Sequence, residues 1–69
     1  MTGKEILESL IECRNALESR ARRLKTTADG MDVGDKWKAT HDHSNALWDV
    51  FESVDESVRR LRDALEALP

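Results

Sequence analysis

Seven successive seam positions of one heptad, Leu47, Phe51, Val54, Val58, Leu61, Leu65 and Leu68, carry apolar side chains. Alternating steps of four and three keep such residues on a single stripe of an α-helix. A stripe this regular is stable only when buried against another helix, so it selects helix-on-helix packing. No glycine or proline interrupts residues 35–68, and Pro69 follows. A second helix is therefore expected over about 35–68.

Upstream, Thr2-Gly3-Lys4-Glu5 has the S/T-x-x-E spacing of a capping box, in which hydroxyl and carboxylate each satisfy a free amide. Ile6, Leu10, Cys13, Leu17 and Leu24 then fall on one face, flanked by Leu7, Ala21 and Ala28. Asp29-Gly30 supplies a glycine able to end the helix in the left-handed conformation. Helix one is expected over about 3–28 and a joint over about 29–34, with Asp32 or Asp35 capping the second helix.

A short joint between long helices makes them antiparallel neighbours, so residues 1–69 read as one all-α helical hairpin. Folding about residue 32 sets Leu17 near Leu47, Cys13 near Phe51, Leu10 near Val54 and Ile6 near Val58. In that register helix two overshoots helix one by ~12 Å, leaving Leu65 and Leu68 uncovered by their own chain. Towards the joint the seam turns polar at Arg20, Thr27, Trp37, Thr40 and Ser44, which reads as a loosely packed end. Cys13, the only cysteine, reads as a small buried core residue in a reducing compartment.

A 69-residue chain with no possible internal disulfide has a marginal core. Oligomerisation is the remaining support, and a homodimer forming an antiparallel four-helix bundle is expected. The longest apolar run is the three residues Ala46-Leu47-Trp48, and 36% of the chain is charged. No bilayer-spanning segment, no secretory signal and a cytoplasmic location follow.

His41-Asp42-His43 is the one cluster that suggests metal or acid–base chemistry. Residues i and i+2 point to nearly opposite sides of a helix, so the two imidazoles cannot chelate one ion. No glycine-rich phosphate loop or nucleophile–base arrangement occurs. The reading is non-enzymatic, with no cofactor, no metal and no small-molecule substrate. Trp37, His41, Ser44 and Trp48 line one stripe of helix two, and tryptophan is enriched at binding hot spots. Charge is segregated beside them. Residues 14–25 carry Arg14, Arg20, Arg22, Arg23 and Lys25 against Glu18, a net of +4, whereas residues 42–56 carry Asp42, Asp49, Glu52, Asp55 and Glu56, a net of −5. Trp37, His41, Trp48, Asp49, Glu52, Asp55 and Glu56 are the candidate partner-binding residues. A net charge of −3 favours a protein partner over nucleic acid.

Met1-Thr2, the mid-helix His41-Asp42-His43 and the following Leu47-Trp48 resemble the Rop family, small plasmid proteins that bind paired RNA loops as dimeric four-helix bundles. The resemblance covers some ten residues. It implies the dimeric bundle and, as an alternative function, RNA binding, for which Arg20, Arg22, Arg23 and Lys25 are the candidates. That family reads RNA with polar, basic and aromatic residues of helix one; here helix one carries Glu5, Glu8, Glu12 and Glu18 and no aromatic residue. The preferred reading is a protein-interaction or inhibitor module, of the kind a phage or mobile element uses (anti-CRISPR-like) against a nucleic-acid-binding complex. A structural subunit of a larger assembly is the third expectation.

Overall fold

Thr2 opens the first helix as its N-cap, with its hydroxyl accepting the Glu5 backbone N–H at 3.2 Å. In a computed structural model, which describes residues 2–68, the chain forms α1 (Gly3–Asp29) and α2 (Asp35–Glu66), packed against each other as an all-helical hairpin. Met1 and Pro69, at the ends of the expected domain, lie outside the described residues.

Neither helix terminus at the joint is built as expected. Gly30 ends α1 at φ −90°, ψ 0°, not in the left-handed region, and its N–H bonds Thr27 O at 3.2 Å while Met31 N–H bonds Ala28 O at 3.0 Å. A tightened last turn satisfies these carbonyls without needing positive φ. Gly34, in extended backbone, is the N-cap of α2, and no side chain caps it. Asp35 sits instead in the first turn, where its charge favours the positive end of the helix dipole, and Asp32 caps nothing. At the far end α2 stops at Glu66, two residues before the expected limit.

The seam of α2 follows the heptad through Trp37, Thr40, Ser44, Leu47, Phe51, Val54, Val58, Leu61 and Leu65, all buried or half-buried. On α1 the seam runs through Leu7, Leu10, Arg14, Leu17, Ala21, Leu24 and Ala28, likewise withdrawn from solvent. Two expected core residues of α1 are therefore displaced. Ile6 is 42% exposed and Cys13 is exposed, because each precedes a seam position by one residue, about 100° of helix rotation. Cys13 is not a core residue; Arg14 occupies the seam beside it.

The pairing register is also shifted from the expected one. Leu65 lies over Gly3, so close that a Cβ there would come within 2.8 Å of Leu65 Cδ2. Arg14 meets Asp55 and Ser44 meets Ala21. Leu65 is thus covered by its own chain, and Leu68, at 66% exposure, is what remains of the expected overhang.

The joint half is not loose. Of the four fully buried described residues, Ala21, Ala28 and Ser44 lie there, with Val58 alone in the other half. Ser44, 2% exposed, donates its hydroxyl to Ala21 O at 3.0 Å. Small side chains let two backbones approach, and a buried hydroxyl that finds a carbonyl avoids the cost of an unpaired polar group. No helix is long and apolar enough to cross a membrane.

Candidate macromolecule-binding surface

One flank of the hairpin is set by residues that follow alternate seam positions, among them Ile11 and Glu18 on α1 and His41, Trp48 and Asp55 on α2, all half-buried. On this flank the indole of Trp37 stacks on the His41 ring, with centroids 4.9 Å apart and planes 7° from parallel. A helical turn separates residues four apart, which is what places the two rings in register. Trp48 meets Phe51 edge-on, centroids 5.4 Å apart at 85°. The Arg22 guanidinium lies 5.7 Å from the Trp48 ring centre and is itself held by Glu18, with Nε and Nη2 donating to Oε1 at 3.0 and 2.8 Å. Carboxylate, guanidinium and indole therefore form one chain of contacts from α1 to α2, with the indole orientation fixed by cation–π attraction and edge packing.

The acidic candidates divide. Asp55 is engaged within the hairpin: Oδ1 accepts from Arg14 at 3.0 Å and Oδ2 pairs with Arg59 at 2.9 Å, with only 21% of its side chain exposed. Glu56 pairs with Arg60 across one exposed turn. Asp49 and Glu52 are exposed and make no ion pair among the described residues. Glu52, four residues beyond Trp48, lies one turn along the same side of α2.

The basic candidates do not share a face. Arg20, Arg22, Arg23 and Lys25 are all exposed, but at about 100° per residue they are distributed around α1, and Arg22 is committed to Glu18 and Trp48. The two histidines also part: His41 is half-buried under Trp37 and His43 is exposed. No three His, Cys, Asp or Glu side chains converge as a metal site among the described residues, and no cavity opens between the helices.

Sequence reasoning missed the Arg14–Asp55 link and the Ser44–Ala21 hydrogen bond. A charge at a seam position, facing a carboxylate on the other helix in the antiparallel register, was the available signal for the first.

The chain matches no protein-family model, and comparisons with curated proteins and with solved structures found no match either. They lend no support to the resemblance to the Rop family.

Proposed function

We propose that the protein is a non-enzymatic binding module, a regulator or inhibitor that works as a dimer of hairpins in a four-helix bundle and docks a partner protein through the Trp37–His41–Trp48 flank. The observation that carries this reading is the held indole of Trp48, fixed by Phe51 and Arg22 while still partly open to solvent. A large amphipathic ring already fixed in one orientation gives contact area at low ordering cost, as hot spots do. Asp49 and Glu52, which form no ion pair among the described residues, give the rim a negative charge suited to a basic protein surface, such as that of a nucleic-acid-binding complex. The dispersal of Arg20, Arg22, Arg23 and Lys25 favours a protein over RNA, since phosphate binding draws on basic groups gathered on one face.

The test is capture of partners from nuclease-treated host lysate by wild type and by Trp48→Ala. The proposal expects a captured protein that survives nuclease treatment and is depleted at least about tenfold by the substitution, the loss of one hot-spot residue. Capture that vanishes with nuclease, or that ignores Trp48, overturns it.

A further inference from the structure

The other flank, made by the residues that precede every second seam position (Leu7 and Arg14 on α1, Phe51, Val58 and Leu65 on α2), is different in kind. It carries Ile6 and Cys13 on α1, with Val50, Ser57 and Ala64 on α2, all exposed. Ile6 and Val50 remain 42% and 48% open to solvent. None of the ion pairs formed among the described residues lies on this flank. Its hydroxyls are already satisfied: Ser57 donates to Ser53 O at 3.0 Å and, nearer the joint, Thr27 to Arg23 O at 2.9 Å. Covering them strands no donor, so burial costs little. Apolar or small residues at both seam positions plus one flanking position are the pattern of a helix packed on two neighbours, not one.

We infer that this flank is the docking surface for a second copy of the same chain. The inference rests on the dimer proposed above and identifies the face that makes it. The area agrees. One hairpin exposes 5311 Å², whereas a compact protein of 7.9 kDa exposes about 4,400 Å². The excess of about 900 Å² is close to the ~800 Å² that each partner contributes to a standard stable interface. Charge agrees as well. Each helix runs from an acidic segment, Glu5 to Glu12 or Asp42 to Glu56, into a basic one, Arg14 to Lys25 or Arg59 to Arg62, so α1 of one copy set antiparallel to α2 of the other meets opposite charge, as it does within the hairpin. The flank becomes polar towards the joint at Arg20 and His43, which confines the apolar overlap to the half near Gly3 and its approaches.

Cys13 lies on this face and is the only thiol, so it reports on coverage without any substitution. Sedimentation equilibrium of wild type at about 50 µM is expected to give twice the 7.9 kDa chain mass. Maleimide labelling of Cys13 is expected to slow at least about tenfold as concentration carries the chain into the dimer, since reactivity needs access. Ile6→Lys with Val50→Lys, both at exposed helical positions, is expected to give a monomer of unchanged helicity, whereas Asn45→Lys, exposed on the far side of α2, leaves the dimer intact. A dimer that persists in the double variant, or whose Cys13 labels at the monomer rate, overturns this face and leaves the dimer standing. A wild type that sediments as a monomer overturns both.

Discussion

Ser44 stands where leucine would continue the apolar seam, and on pattern alone it looks like a defect. In the fold it is nearly inaccessible and its hydroxyl bridges to the backbone of the other helix. Two consequences follow. Ser44→Ala should cost about 1 kcal/mol, the net worth of one intramolecular hydrogen bond. Ser44→Leu, although it completes the heptad, should cost about 1–3 kcal/mol, because Ser44 is buried hard against the Ala21 backbone and a large side chain there overpacks the seam. Urea denaturation of the two variants checks this; a leucine variant more stable than wild type would mean that the joint half is open after all. The same residue shows what sequence conveys poorly. Ser44 fell on the seam by its spacing, but spacing does not say whether a polar seam residue marks loose packing or close approach. The facing Ala21 decides that, and only once the register places it nearby.

At the scale of the helices, the all-α hairpin and the stripe of α2 were legible because the heptad from Leu47 to Leu65 is uninterrupted. The stripe of α1 was misassigned because Arg14, Ala21 and Ala28 are weak hydrophobic markers, while Ile6 and Cys13, one position away, are strong ones. Hydropathy drew the stripe through the wrong residues, and the register moved with it. The aromatic contacts at Trp37 and Trp48 were foreshadowed by their common track, but the guanidinium over Trp48 was not, since it depends on which α1 residue lies across from it. Arg14 and Asp55 now fix that alignment, and their surroundings are unequal. Asp55 keeps Arg59 if Arg14 is lost, whereas Arg14 has no other carboxylate partner among the described residues. Asp55→Asn should therefore destabilise by about 1–2 kcal/mol, the range for a hydrogen bond to a charged group at a partly exposed site, and Arg14→Met by less. Equal losses in thermal melts of the two variants would show that the pair does not work as described.

The whole molecule is an extended rod, 55 Å long and about 15 Å across, with a Cα radius of gyration of 15.8 Å. A compact domain of the same length would have a radius of about 11 Å. Two helices alone bury few side chains completely, here Ala21, Ala28, Ser44 and Val58, and so small a core leaves little margin against chain entropy. In the proposed dimer a second hairpin alongside the first would supply the missing layer, cover Ile6 and Val50, and leave Trp48 on the opposite flank free for a foreign partner. Small-angle X-ray scattering as a function of concentration tests this arrangement most directly. Side-by-side pairing at helix spacings of 8–10 Å predicts a doubled mass with the radius of gyration rising by only about 1 Å, because the copies share one long axis. A forward scattering that stays at the 7.9 kDa chain mass, or a doubled mass with a radius near the ~32 Å of an end-to-end pair, would contradict it.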